Sequence, residues 1–415
     1  MIDMLFRRFL LISCVLMLPM LALSFRQTKE ADPLADLQRK SDRGEIKLEF
    51  DQDRGYLKSI LEALNVPISS QMLVFAKNSF QLHLISPETP RALYFNDDSY
   101  VGYVPGADAI ELAVVDPKDG PVFYTLPQTK VAKPKFHRES SQCTVCHDSS
   151  QTADPIPRLL MLSVLPDPNG TAIKREAFLT NDKSPFRERW GGWYVTGTHG
   201  SQRHLGNRVV QEPAAAIGDV REFLKTMNLD SGANVTDLTR RIDTNPFPSK
   251  HSDIVALMLH GHQTHIHNLI ALIDYKVRYP DRNGNSVEEL AERLFKSMIF
   301  VEAEPFTDQI SGSTNFASEF VNKGIRDSKG RSLRDLDLKT RLFRYPLSFL
   351  IYSPSFDGLP APAKQHIYRR LREVLSGEDT SKDFAHLSEA DRKNILEILL
   401  ETKPDFASSF EKRGR

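Results

Sequence analysis

The sequence predicts an α+β fold with a β-rich N-terminal half and a mainly helical C-terminal half. Three observations carry this. Short aliphatic and aromatic runs separated by turn residues fill residues 72–126 and recur at 159–179. From about residue 214 the apolar spacing changes to a helical period. The composition, 40% hydrophobic and 26% charged over 415 residues, suits a chain that buries a sizeable core.

The elements follow in chain order. Residues 1–24 hold Arg7 and Arg8, an apolar run at 9–23, and small residues Ala22 and Ser24 before the chain turns polar. This is the layout of a secretory signal peptide, and the run is shorter than the ~20 residues a spanning helix needs. The expected product is soluble and periplasmic or otherwise exported, with no membrane span after cleavage. Residues 25–54 read as a polar lead-in, and 56–64 as a short helix. Within a β-rich region at 55–213, residues 91–95, 100–104 and 109–115 read as strands. Asp116-Pro117-Lys118-Asp119-Gly120 is turn chemistry, joining 110–115 to 122–126 as a hairpin. Pro166-Asp167-Pro168-Asn169-Gly170 joins 159–165 to 172–179 in the same way. The helical region, 214–415, shows its clearest helices at 253–279, 287–297, 362–375 and 389–402, with Ser388 capping the last and Pro404 ending it.

Charge and cysteine content narrow the function. With 54 basic and 54 acidic residues the chain lacks the basic excess of a nucleic-acid binder. Three cysteines exclude a disulfide scaffold. Cys14 falls in the signal segment. The other two stand in Cys143-Thr144-Val145-Cys146-His147. Thiols three residues apart on a short helical turn reach the two vinyl groups of one porphyrin, and the next histidine lies under the iron. The expected cofactor is therefore one covalent haem c, with thioethers at Cys143 and Cys146 and His147 as proximal iron ligand. A thioredoxin-like dithiol would want a strand leading straight into the motif, and residues 133–142 are polar and loop-like instead. A zinc site would want a second ligand pair, and no other cysteine supplies it. The β-rich half is thus expected to carry the haem.

A resemblance points the same way. Gln71-Met72-Leu73-Val74-Phe75, Tyr94-Phe95-Asn96-Asp97-Asp98, Arg189-Trp190-Gly191-Gly192-Trp193-Tyr194, His204-Leu205-Gly206-Asn207 and the stretch at 345–353 resemble an exported bacterial family of uncharacterised cytochrome c domain proteins with a single haem motif. The resemblance implies haem attachment at Cys143, Cys146 and His147. It brings no established reaction.

The other axial position decides between functions, because a strong sixth ligand makes an electron carrier and an open face admits a small oxidant. Residues 190–207 hold both tryptophans and five glycines, a density that implies close backbone approach or positive φ. With His199, and with Arg187, Arg189 and Arg203 for propionates, this loop is one candidate haem lining; the alternative is a turned structural loop with the tryptophans in the core. The second candidate is 258–267, with four histidines. On a helical wheel His262 and His265 fall on the apolar seam, while His260 and His267 lie at about 180–200° from Met258 and read as surface residues. His199, His262 and His265 are therefore the candidates for distal or second-site metal contact, with zinc or copper binding alongside His199 or His204 as a variant. Met161, Met227, Met258 and Met298 read first as packing residues. Asp281, Asn283, Asn285, Glu289 and Glu292 follow calcium-loop spacing, but Ser286 replaces the glycine that the turn needs, so a solvated loop is the better reading.

The sequence thus predicts an exported monohaem c-type cytochrome that passes electrons in the cell envelope to a redox partner protein. The alternative is a haem-dependent oxidoreductase of peroxidase-like or small-oxidant-reducing type with an open distal face.

Overall fold

The computed structural model describes residues 32–117, 119–139, 156–280 and 284–411. The signal segment and the Cys143–His147 motif lie outside the described residues.

Six strands pair in chain order as one antiparallel sheet: β1 (Met72–Val74), β2 (Arg91–Phe95), β3 (Ser99–Tyr103), β4 (Ala109–Asp116), β5 (Gly120–Pro127) and β6 (His137–Glu139). The β4–β5 hairpin expected from the turn residues forms in register from Ala109↔Pro127 to Asp116↔Gly120. Gly120 takes φ +71, and a Cβ there would press into the Ala271 side chain. The two-residue period sends Phe95, Tyr100, Ala113 and Phe123 to one face, and Tyr94, Val101, Ile110 and Leu112 to the other. Both faces are covered. A second hairpin, β7 (Leu162–Pro166) with β8 (Ala172–Leu179), follows as expected.

The second face packs against α1 (Pro33–Asp42) and α2 (Leu57–Ala63) through Leu34, Leu37, Leu57 and Ile60. Helix α1 stands where a polar lead-in was expected. Asp32 caps it by accepting from the N–H groups of Leu34 and Ala35 at 2.9 and 3.0 Å. Only Leu34 and Leu37 are buried along it, too sparse an apolar pattern to stand out in the sequence.

The first face packs against helix α4 (Ile254–Arg278), which follows a short α3 (Val220–Thr226). Asp253 caps α4 with one carboxylate oxygen, and its other oxygen accepts from the N–H groups of Ser313 and Thr314 at 2.8 Å. That contact ties the helix start to the short pair β9 (Gly197–Thr198) and β10 (Ser311–Gly312). Helices α5 (Val287–Met298), α6 (Phe316–Asn322), α7 (Pro354–Asp357), α8 (Ala361–Leu375), α9 (Glu389–Thr402) and α10 (Pro404–Glu411) complete the chain. Ser388 caps α9 in a reciprocal pair with Asp391, as expected, while Pro404 not only follows α9 but opens α10. The largest core runs without a break from Tyr100 and Phe123 on the sheet, through α4, to Leu371 and Ile398. No helix among the described residues is long and apolar enough to cross a membrane.

Two expectations about the loops resolve here. Trp190 and Trp193 are buried in the core, and the glycines beside them allow close approach. A Cβ on Gly191 would collide with the Val164 carbonyl oxygen, and Gly192 takes φ +84. Both tryptophans of that loop are core residues, as its structural reading expects. In the calcium-like stretch, Glu289 is spent on the Ser286 cap of α5 and Glu292 pairs with His366 and Arg370. Asp281 and Asn283 lie outside the described residues.

Candidate functional site

The segment that carries Cys143, Cys146 and His147 departs from one described position and returns at another. It leaves β6 at Glu139, whose partner in register is Phe123. It returns at Ile156 in the core, and three residues on the Asn268 side chain holds both the N–H and the carbonyl of Leu159, at 2.9 and 2.7 Å. Phe123 and Leu159 line one cavity on the helix-facing side of the sheet, together with Arg91, Leu93, Tyr100 and His260. Its volume is about 100 Å³.

The cavity follows from the strand period. Arg91, Leu93, Tyr100, Ala113 and Phe123 share one face of the sheet, and Gly102 leaves the space that the Arg91 guanidinium crosses. Arg91 pairs with Glu111, which also accepts from Gln81 at 3.0 Å, while Arg91 Nε has no hydrogen-bond partner. From the opposite side α4 presents His260. Its ring stands edge-on to Phe95 and Tyr100, with centroids 5.3 and 5.6 Å apart. It is 6% exposed, and its Nδ1 has no partner. Burial, with the Arg91 charge adding to it, pushes the imidazole down to about 3, so it stays neutral near pH 7 and keeps a nitrogen lone pair available.

Two turns on, His267 Nδ1 meets the Tyr100 hydroxyl at 3.1 Å, and that hydroxyl accepts from Gln263 at 2.8 Å. Burial pushes His267 down to about 4, and its Nε2 has no partner. His260 and His267, expected at the surface, are thus both buried. The wheel assumed that α4 has a wet face, but the sheet occupies that side while other helices occupy the rest.

The sequence candidates stand elsewhere; none of the three lines this cavity. His262 Nδ1 meets the Asp182 carboxylate at 2.7 Å, its Nε2 meets the Ser348 hydroxyl at 2.8 Å, and Phe300 stacks on the ring. His199 holds the Gln202 carbonyl with Nδ1 at 2.8 Å and accepts from the Asn234 N–H with Nε2. Both rings have each nitrogen engaged, so ligation would break a bond already made. His265 is half-buried against Ser297 at 3.2 Å, and burial pushes it down to about 4. His204 packs 4.7 Å from His199, between ring centroids, with neither nitrogen partnered. Arg187 holds the Leu224 carbonyl, Arg189 the Ser184 carbonyl and Arg203 the Asp230 carboxylate, so these guanidiniums are committed to neighbouring segments. Met161, Met258 and Met298 are core residues, as expected. Among the described residues, no three of His, Cys, Asp and Glu gather as a metal-holding group.

The chain matches no family model, no curated protein and no solved structure. The site must therefore be read from its own chemistry. Asp182, His262 and Ser348 have the carboxylate–imidazole–hydroxyl order of an acyl-transfer relay. Ser348 is fully buried, however, and Phe300 and Phe343 cover the imidazole. No substrate carbonyl reaches that hydroxyl. Burial works to raise the Asp182 carboxyl, yet His262 and Arg189 beside it hold it below the ordinary range. The three groups clamp α4 to two loops. The cavity at His260 differs, because there a buried imidazole and a guanidinium nitrogen lack protein partners, and such groups are costly unless something else meets them.

Proposed function

We propose that the protein is an exported monohaem c-type cytochrome that carries electrons in the cell envelope and meets a redox partner protein there. Cys143 and Cys146 would hold the haem through thioethers, and His147 would be the proximal ligand. The observation that carries this reading is the Cys143-Thr144-Val145-Cys146-His147 string, whose spacing suits two thioethers and a proximal imidazole on one porphyrin.

At about 100 Å³ the cavity beside His260 is too small for a whole porphyrin, so its walls would meet only part of such a group. Leu93, Phe123 and Leu159 offer apolar walls, and His260 offers an unpartnered neutral imidazole. Arg91, already paired with Glu111, stands close by. Haem bound there would supply a one-electron couple. The chain's own part is to exclude water with the sheet face and α4, and to hold Tyr100 in place through Gln263. The resemblance to exported single-motif cytochrome c proteins supports the same reading.

The test is direct. Purified native protein should keep haem through denaturing electrophoresis and show reduced-minus-oxidised c-type bands. C143A/C146A should lose the covalent haem. Haem retained by that variant under denaturing conditions, or no haem in the native protein, would overturn the reading. A native iron that stays high-spin and binds carbon monoxide freely would favour the small-oxidant enzyme instead.

A further inference from the structure

We propose that the protein binds a small neutral phenol in a second cavity, enclosed by α4 and the loops at 300–306 and 340–346. This cavity shares no lining residue with the one at His260, and its test does not depend on the haem reading.

Its volume is about 250 Å³. An apolar cavity of ~150 Å³ holds one benzene, so the space suits a single ring with a head group. Met258, Phe300, Phe306, Leu342 and Phe343 supply apolar wall, and aromatic walls favour an aromatic guest. The walls are held in place before any ligand arrives. The Phe306 N–H donates to the Thr340 carbonyl and the Glu304 N–H to the Asp182 carbonyl, each at 2.9 Å. His386 Nε2 donates to the Ile299 carbonyl at 2.8 Å. On the same loop Phe300 and Glu302 both take φ +61, a conformation that such residues keep only where packing imposes it.

The polar end decides the ligand. Arg189 and Asp182 line the cavity together. Arg189 is 4% exposed, and burial draws it down to about 10, so it is charged at pH 7. Its Nε donates to the Ser184 carbonyl at 2.8 Å, and Nη2 to the Asp182 carbonyl at 3.0 Å. Those bonds fix the guanidinium and leave the Nη1 hydrogens without a partner among the described residues. Asp182 gives Oδ2 to His262, and its Oδ1 likewise has no partner among them. A guanidinium and a carboxylate enclosed together call for a group that accepts from one and donates to the other. A hydroxyl does both. A carboxylate ligand does not, because Asp182 and Glu304 already place negative charge beside Arg189. A bare hydrocarbon ring would leave both polar groups unmet.

The test titrates phenol, toluene and benzoate into purified protein carrying ¹³C at its methionine methyl groups. Comparison with M258L identifies the Met258 resonance, which reads the cavity wall directly. Phenol should shift it saturably, with a Kd below about 1 mM. Toluene and benzoate should each bind at least about tenfold more weakly. A303W adds an indole to the cavity lining and should abolish the phenol response. R189K keeps the charge but loses the planar fork, so it should weaken phenol about tenfold and leave toluene unchanged. If R189K does not fold, the three-ligand comparison tests the polar end and A303W tests the place. Toluene equal to phenol, benzoate tighter than phenol, an undiminished phenol response in A303W, or no saturable phenol shift would each overturn the proposal. Those outcomes leave the haem reading untouched, and a protein without covalent haem would leave this site untouched.

Discussion

Mild acid should destabilise this protein steeply, because it buries neutral imidazoles. Burial brings His260 down to about 3, and His265 and His267 down to about 4, each from an ordinary value of 6.5. A group whose folded value is depressed contributes its stability above the unfolded value and loses it as pH falls toward the folded one. Between pH 7.5 and 5, each unfolded imidazole takes up a proton that the folded one refuses, which costs about 2 kcal/mol per residue. The three together cost about 6 kcal/mol, and His204, also held well below its ordinary value by burial, acts in the same direction. Asp274 acts oppositely: burial raises it to about 7, so the folded carboxyl gains its proton first as pH falls. Discounted for its partial exposure, that returns about 1 kcal/mol. The loss from these three imidazoles is by itself a large share of the 5–15 kcal/mol that domains possess. Urea titrations at pH 7.5 and 5, followed by tryptophan fluorescence, measure it, since Trp190 and Trp193 are both in the core. H267Q should remove about 2 kcal/mol of the difference. A stability that is equal at the two pH values, or higher at pH 5, would refute the reasoning.

Other changes test the remaining assignments. S348A leaves His262 Nε2 without its partner and should cost about 2 kcal/mol by urea titration. G191A drives a methyl into the Val164 carbonyl and should cost about 3 kcal/mol, read as a lowered melting temperature. D274N should raise stability by about 1 kcal/mol at pH 8, where the native carboxyl is ionised against its burial, and should change little at pH 5.

Much of the fold was legible because it is locally written. Turn residues at 116–120 and 166–170 announced both hairpins, and Ser388 announced the start of α9. Helix α4 was expected within a residue or so of its observed ends. Its surroundings were not legible. A wheel divides a helix into a wet and a dry side, and it gave His262 and His265 the dry one. Helix α4 has a sheet on one side and helices on the others, so His260 and His267 are just as enclosed. The one signal available was the helix's own apolar content, with aliphatic residues at consecutive positions such as Ile254-Val255-Ala256-Leu257. Helix α1 escaped notice for the opposite reason, since two buried leucines do not make a period. The histidines chosen as ligands illustrate a further limit. Residue type and spacing say that a histidine can bind a metal, but only packing shows that His262 is already held by Asp182 and Ser348.

The core that runs from the sheet through α4 to α9 bears on how the chain can be cut. A fragment ending near residue 213 would keep every strand of the six-stranded sheet but strip the cover from Phe95, Tyr100 and Phe123. Such a fragment would present a wide greasy surface to water and aggregate rather than serve as a small carrier. The helical half is thus the second wall of the sheet's first face, and any shorter version would have to replace that wall.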